Sequence, residues 1–539
     1  MHRQPQPARV SPGGENRPVP TLRPADGPPP RTRRRARPLL PGPLSVAIAY
    51  LLARLWQVLL LGAPIVGPDS PMYRAPGQHW LEFAPAVSYD GAALRPWPVT
   101  LLYALGASDE WRMLLQFGIA TACWTYCIYQ VGAVARRRTW ALAGGVISAA
   151  LALTAGVSSW DALILSESLS LSMVALYFGG ILSLSRGGRF GAPRAWLAAS
   201  VAALCLALIR PVLVLLIAVP ALVPCWAWLR SRRRPRSPRR QAVSTWVAVA
   251  ALLVAAAGAT YTWAYNVRSD KQWGDWLSVP GQNGRTIQQY WVTTHNTRFG
   301  PNVVTALNGH GAPPCLAESY HPNDTIQTFL GQALDHCREG LKWVSNNYVV
   351  DLTGVLVSHP VLAEQYFSSA LREQAQQRPE GIPSLPTPVP GFVANLFFTD
   401  GPSFPNPLIA WSVVAVGLLL LWLWRRPRSR PPVNATVTER RTTGTAVRGP
   451  AVGQADPAYL RLVVGATVAA GYAGLVGTAL LSPVDIDRVG LPATTLLRLG
   501  LLVAIVRCLE TIDIARARNG RRTWLPASSA RVSAVRPRP

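Results

Sequence analysis

The chain has 539 residues, of which 49% are hydrophobic and only 15% are charged, and its mean hydropathy is +0.18. Soluble domains carry about 25% charged residues, so this composition argues against an ordinary soluble enzyme. The 53 basic residues outnumber the 26 acidic ones and give a net charge of +27. The arginines flank long apolar runs and do not form one basic face, which argues against nucleic acid as a partner and favours an integral membrane protein.

Apolar runs of about 20 residues, the length that crosses a bilayer, recur along the chain. They predict an all-α polytopic membrane protein with about ten transmembrane helices. The predicted spans are approximately 45–63, 112–134, 139–157, 162–184, 195–209, 212–229, 243–265, 406–424, 459–481 and 489–508. If the N-terminus is cytoplasmic, every arginine cluster between spans falls on the cytoplasmic side, as the positive-inside rule requires. We therefore expect a multi-pass plasma-membrane protein with both termini in the cytoplasm.

The segments between the spans divide the chain further. A disordered Arg- and Pro-rich cytoplasmic tail is predicted at 1–44, followed by an N-terminal transmembrane module of about seven helices at 45–265, which contains the first outer loop at 64–111. A large extracytoplasmic loop domain is predicted at 266–405. The C-terminal transmembrane helices follow at 406–510, with a cytoplasmic linker at 425–457, and a cytoplasmic tail is predicted at 511–539. Cys315 and Cys337 lie in the large outer loop, in an oxidising compartment, so they either form a disulfide or remain free thiols.

The first outer loop holds three charged residues of interest. Asp69 follows the first span directly, so its carboxylate lies at the membrane interface. There it acts either as a general base that takes a proton from a sugar or alcohol hydroxyl, or as a helix N-cap. Asp90 and Arg95 precede a short apolar stretch at 99–106 that predicts an interfacial helix. Arg95 either binds a lipid phosphate, pairs with Asp90 or extends to the lipid head groups.

Three further charges lie within or between the later spans. Glu167 is about four residues inside the predicted fourth span, where an ionisable group costs on the order of 3 kcal/mol and is expected to face a cavity or a partner. Arg210 stands before a proline at the break between two short apolar runs, which indicates either an anion site or an outer-leaflet anchor. Arg488 belongs to the last outer turn, at 482–488, which either holds a phosphate or cation or is a charged hairpin tip.

Motifs of soluble enzymes are missing from the sequence. It contains no Walker loop, no HExxH, no CxxC pair and no nucleophile elbow. An ATP-driven pump is therefore not expected, and any activated group would arrive on a substrate. The histidines of the large outer loop lack metal-ligand spacing, so no metal site is predicted from the histidines.

Taken in order, the charged motifs resemble those of GT-C superfamily membrane glycosyltransferases, especially the bacterial relatives of protein mannosyltransferases and aminoarabinose transferases. The resemblance covers about residues 45–510. The similar elements are Pro68-Asp69-Ser70-Pro71-Met72-Tyr73, Asp90-Gly91 with Arg95-Pro96-Trp97-Pro98, Leu165-Ser166-Glu167-Ser168-Leu169, Ile209-Arg210-Pro211, and Asp487-Arg488 with Leu491-Pro492.

This resemblance implies a helical bundle with an outer-face cavity that admits a polyprenyl-phosphate-linked sugar. Asp69 would be the base that deprotonates the hydroxyl of an envelope glycan, lipid or protein acceptor. Arg210, with Arg95 or Arg488, would hold the leaving lipid phosphate, with Glu167 and Asp90 nearby. Many relatives carry a second acid where this chain has Ser70, which leaves the participation of a divalent cation open.

Two other classes of function fit the same residues. A lipid-linked-sugar flippase or other secondary transporter would also need intramembrane Glu167 and Arg210, and would alternate access around a midplane site. A non-catalytic envelope scaffold would bind a partner through its outer loop and would tolerate substitution of Asp69, Glu167 and Arg210.

Overall fold

The computed structural model describes residues 42–66, 70, 73, 97–106, 108–186, 192–232, 238–276, 300–318, 337–374, 385–398, 410–414, 416–417, 457–481 and 486–523. Within these ranges the structure is mostly helical and contains no β-strand. One isolated parallel bridge joins Ile65 to Leu163. The predictions at Asp69, Asp90 and Arg95, and most of the proposed span at 406–424, lie outside the described residues.

Sixteen helices are named here in chain order. They are α1 Gly42–Leu60, α2 Trp97–Ala104, α3 Asp109–Val134, α4 Arg138–Leu153, α5 Ala155–Ser158, α6 Ser166–Ser185, α7 Ala192–Ile209, α8 Val219–Arg232, α9 Pro238–Trp276, α10 Gly300–Asn308, α11 Cys315–Glu318, α12 Arg338–Ser358, α13 Pro360–Gln374, α14 Gly391–Ala394, α15 Pro457–Leu481 and α16 Ile486–Thr523. Two 3-10 helices, Ser159–Ala162 and Pro211–Ile217, follow α5 and α7.

Five of the described helices are long and apolar enough to cross a membrane. They are segments Gly42–Leu60, Ser166–Ser185, Thr245–Val267, Tyr459–Leu480 and Val489–Ala517. A sixth span is formed if α4 and the segment Ala155–Ala162 are taken together, although they are bent by 59°. The chain therefore has the apolar helices of a membrane protein, while the larger number of ten spans remains a prediction.

Helix α6 lies at the centre of the bundle and is buried on nearly every side. Two adjacent glycines let its neighbours approach closely, because any side chain there would collide with them. A Cβ on Gly179 would lie 2.7 Å from the ring of Tyr126 on α3, and one on Gly180 would lie 3.1 Å from the carbonyl oxygen of Ala195 on α7. Small residues are the usual means of close helix packing in membranes.

The bend between α4 and α5 has a local cause at Thr154. This residue is extended, with φ −63° and ψ 151°, and its hydroxyl donates a 2.6 Å hydrogen bond to the carbonyl oxygen of Leu151. Such back-bonding competes with the helical ladder and interrupts it. Within the predicted span at 139–157, helix α4 therefore ends at Leu153, where the chain bends by 59°.

Three predicted boundaries also differ from the structure. Helix α6 begins at Ser166 and not at 162, because residues 163–165 are extended. Helix α9 continues past 265 to Trp276. Helix α16 begins at Ile486, inside the predicted turn at 482–488, and continues to Thr523, well into the predicted tail. Arg488 therefore lies in the first turn of a helix.

The described part of the predicted outer loop domain contains a second, smaller hydrophobic core. Helices α10, α12 and α13 pack around Leu307, Tyr348 and Leu352. Cys315 and Cys337 form a disulfide beside this core, with a Cα–Cα distance of 5.6 Å. The hydroxyl of Tyr366 donates a hydrogen bond to the carbonyl oxygen of Ala479, which attaches this core to the end of α15.

The far end of α16 is held by a polar cluster that explains its length. Glu510 accepts hydrogen bonds from the backbone N–H groups of Arg136 and Arg137, at 2.5 and 2.6 Å, and forms an ion pair with Arg507. Asp513, one turn further, pairs with Arg137 and accepts a 3.2 Å bond from Trp140. Glu510 thus supplies an acceptor to amide groups at the start of α4 that have no partner within that helix.

We predict that Glu510→Gln destabilises the protein by about 3 kcal/mol, because it leaves the buried Arg507 charge without a counter-ion. Thermal unfolding in detergent tests this when it is followed with a thiol-reactive dye, because the thiols of Cys123 and Cys127 are buried until the bundle opens. The matched control is Asp513→Asn, whose ion pair is half-exposed and should contribute little. Equal melting temperatures for the two variants would contradict the prediction.

Candidate functional site

The candidate site is built around the extended segment 163–165, which leads into α6. Its backbone is held by the bridge between Ile65 and Leu163. The side-chain amide of Gln116 on α3 donates to the carbonyl oxygens of Asp161 and Leu163, at 2.6 and 2.7 Å. Because these backbone groups are buried away from water, these contacts are what allow the chain to be non-helical here.

Two further hydroxyl groups complete this set of backbone contacts. The hydroxyl of Tyr103 on α2 lies 2.6 Å from the carbonyl oxygen of Leu165 and 2.8 Å from Oε1 of Gln116, and these two acceptors share its one proton. The hydroxyl of Ser70 donates to the carbonyl oxygen of Ile164 at 3.0 Å. Burial raises the pKa of Tyr103 well above its ordinary value, so this phenol remains a neutral donor throughout the physiological range.

The apolar stretch at 99–106, predicted to form an interfacial helix, forms α2. Val99 and Tyr103 are fully buried, and α2 packs against α3 and α7. This packing brings the hydroxyl of Tyr103 to its partners in the bundle. The position of α2 at the membrane interface stays a prediction.

Glu167 and Arg210 form a buried ion pair at the start of α6. Nη2 of Arg210 lies 2.6 Å from Oε1 of Glu167, and the two residues are 8% and 0% exposed. Glu167 is in the first turn of α6, and not one turn inside it, so the free amide groups of the helix N-terminus also stabilise its negative charge. Arg210 is the extended residue between α7 and the 3-10 helix, at the break that the sequence predicted.

Ser166 brings this pair into contact with the segment that follows α1. Its hydroxyl oxygen accepts a 3.2 Å hydrogen bond from the hydroxyl of Tyr73 and a 3.3 Å bond from Nη2 of Arg210. Tyr73 and Ser70 are the described residues of the stretch that includes Asp69 in the sequence. Nε of Arg210 is buried and has no hydrogen-bond partner in the described part of the chain.

A second buried ion pair lies on the other side of the extended segment. Arg54 of α1 pairs with Asp161, and the two residues are 1% and 4% exposed. Arg54 also donates to Oε1 of Gln57 at 2.8 Å, and its guanidinium carbon lies 3.7 Å from the ring centre of Phe117. Asp161 accepts a 2.5 Å bond from the hydroxyl of Ser168, in the first turn of α6. Asp161 and Glu167 therefore have different cationic partners.

Arg498, in the first half of α16, is a further buried cation. It is 1% exposed, its Nη1 donates to the hydroxyl of Thr494 at 3.0 Å, and its guanidinium carbon lies 4.2 Å from the ring centre of Phe398. Among the residues that the structure describes, its Nε and Nη2 atoms have no hydrogen-bond partner.

Of the residues predicted to form a site, the structure brings Glu167 and Arg210 into direct contact. The side chain of Arg488 is outside the described residues, as are Asp69, Asp90 and Arg95. Within the described ranges no group of three or more His, Cys, Asp or Glu residues could hold a metal ion. The participation of a divalent cation thus stays an open question at Asp69.

Sequence reasoning missed Arg54, Gln116 and Arg498. Each lies inside a predicted span, where a charged or amide side chain is costly and needs a partner. A charged residue inside an apolar span is the signal that identified Glu167, and the same signal was present at Arg54 and Arg498. Their partners could not be predicted, because Asp161 and Phe398 are distant from them in sequence.

In comparisons with protein families, with curated proteins and with solved structures, no match to this chain is found.

We predict that the Arg54–Asp161 pair is strongly coupled in stability. Asp161→Asn leaves a buried cation unpaired and should cost about 3 kcal/mol, and Arg54→Met should cost a similar amount. The double variant should be more stable than the sum of the single effects by about 1–3 kcal/mol, because it contains no unpaired charge. Thermal unfolding of the three variants in detergent tests this, and additive losses would contradict it.

Proposed function

We propose that this protein is a membrane glycosyltransferase that moves a sugar from a polyprenyl-phosphate donor to a cell-envelope acceptor on the extracytoplasmic face of the plasma membrane. The observation that carries the proposal is the buried ion pair of Glu167 and Arg210. Arg210 lies at a helix break, and Ser166 links it to Tyr73, four residues after Asp69 in the sequence. An arginine at membrane depth is a functional candidate by default, and its planar fork suits a phosphate.

In the proposed reaction the acceptor hydroxyl attacks the anomeric carbon of the donor sugar. The bond between that carbon and the phosphate oxygen breaks, and the electron pair leaves with the lipid phosphate. Asp69 takes the proton of the acceptor hydroxyl. Arg210 neutralises the charge that develops on the phosphate, a role in which a fixed cation contributes most at the transition state.

Glu167 has a defined place in this proposal. Before the donor binds, it provides the counter-ion that makes a buried arginine tolerable. The hydroxyls of Ser166 and Tyr73, which already form hydrogen bonds around Arg210, would supply neutral contacts to the same phosphate. The proposal also includes a detailed membrane topology. It has ten spans, both termini in the cytoplasm, and residues 266–405 on the extracytoplasmic side.

We predict that Arg210→Gln lowers sugar transfer about 100-fold or more, since it removes the cation that stabilises the leaving phosphate. Arg210→Lys should fall between this variant and the wild type, because lysine keeps the charge but loses the planar fork. Asp69→Asn should abolish transfer without abolishing donor binding. The assay follows label leaving a radiolabelled polyprenyl-phosphate sugar in nanodiscs that contain an envelope extract.

A matched control separates chemistry from stability in this assay. The double variant Arg54→Met/Asp161→Asn removes the other buried ion pair beside the same extended segment. It should retain transfer in proportion to the folded fraction. If it loses as much transfer as Arg210→Gln at equal folded fraction, or if Asp69→Asn transfers normally, the assignment of these residues is wrong.

One observation favours a second candidate, a lipid-linked-sugar flippase or other secondary transporter. The helix α4 and the segment Ala155–Ala162 are bent by 59° within the bundle, and broken helices with polar residues at the break are typical of transporters. The test uses proteoliposomes that contain the protein and a labelled lipid-linked sugar. Movement of this lipid across the membrane, without any glycosidic product, would favour the transporter over the transferase.

A further inference from the structure

A long groove runs along the outside of the bundle between α1 and α3. Its volume is about 640 Å³, and its lining is almost entirely apolar. Leu51 and Leu55 form one wall, Gly118 and Ala122 form the other, and Phe117 contributes to the floor. The two leucines are also exposed, as are other large apolar side chains of α1, so the groove opens on a surface suited to lipid.

The length of the groove suits a hydrocarbon chain. Along α1 its lining extends from Leu44 to Val58, a rise of about 21 Å at roughly 1.5 Å per residue. An acyl chain that crosses one leaflet covers about 15 Å, so the groove is long enough to hold one.

One end of the groove carries a cation. The guanidinium carbon of Arg186 lies 5.6 Å from the ring centre of Tyr129, and Tyr129 lines the groove at the end where α3 terminates. Arg186 is partly exposed, and it ends α6 at that level of the bundle. A lipid whose phosphate lay beside Arg186 would have a partner of opposite charge there, while its hydrocarbon chain entered the apolar groove.

We infer that this groove binds one acyl chain of a bilayer phospholipid, with the phosphate of the lipid beside Arg186. A hydrocarbon core of about 30 Å gives each leaflet about 15 Å. A chain that starts near Tyr129 and extends through one leaflet ends close to Gly118, since these residues are separated by roughly 16 Å along α3. The inference is independent of the proposed transferase activity, because it involves neither Asp69 nor Arg210.

The test uses nanodiscs that contain a trace of phospholipid with a photoactivatable diazirine at the end of one acyl chain. After irradiation, peptide mass spectrometry locates the label. We expect at least fivefold more label on α1 and α3 than on the lipid-exposed face of α9, around Leu253 and Trp263. Arg186→Gln should lower the label on α1 and α3 several-fold, because the head group loses its cation.

Two variants fill the groove and one control does not. A side chain at Gly118 would meet no atom within 4 Å, so Gly118→Leu can enter the groove without strain and should lower its label at least fivefold. Ala122→Phe blocks the same space from a second exposed position. Gly465→Leu is the matched control: this α15 glycine also has open space and lies outside the groove, so labelling should not change.

Three results would overturn the inference. Equal label on α1, α3 and α9 would mean that only ordinary surrounding lipid is present. Unchanged label in folded Gly118→Leu and Ala122→Phe variants would mean that the chain lies elsewhere. Displacement of the label by a polyprenyl phosphate, but not by an equal amount of unlabelled phospholipid, would assign the groove to an isoprenoid chain.

Discussion

The structure depends on one constraint: buried backbone groups must find hydrogen-bond partners inside the protein. The extended segment 163–165 breaks the helical pattern at a buried position. Its carbonyl oxygens are satisfied by Gln116, Tyr103 and Ser70, and its N–H groups partly by the bridge to Ile65. These contacts come from three separate stretches of chain, so the position of α6 is fixed only when α2, α3 and the segment after α1 are all in place.

The same segment explains why two buried ion pairs can exist close together. It turns the chain so that Asp161 faces Arg54 on one side, while Glu167 begins α6 and faces Arg210 on the other. In a continuous helix through this region, Asp161 and Glu167 would not lie beside Arg54 and Arg210 as they do here. Neither pair is a strong source of stability by itself, because burying the charges costs about as much as the attraction returns. Removal of one partner would leave the other charge buried and unpaired, so each pair disfavours arrangements of the helices that separate its two residues.

The sequence allowed the membrane character, the break at Arg210 and the need of Glu167 for a partner to be predicted, because apolar length, proline chemistry and the cost of burying a charge are local signals. Helix ends were predicted less well. Hydropathy falls after 508, yet α16 continues, since Glu510 and Asp513 bind the loop between α3 and α4. The partners of Arg54 and Arg498 were also beyond prediction, because hydropathy carries no information about which distant residues meet.

The contact between Glu510 and the start of α4 has a consequence for the order of assembly. The amide groups of Arg136 and Arg137 are made early in synthesis, whereas their acceptor lies more than 370 residues later in the chain. While the ribosome is still adding the intervening segments, the loop between α3 and α4 lacks this acceptor, and its arginines lack the two carboxylates of α16. This contact forms only after α16, the last of the described helices, has been made, so the hairpin of α3 and α4 lacks it until then.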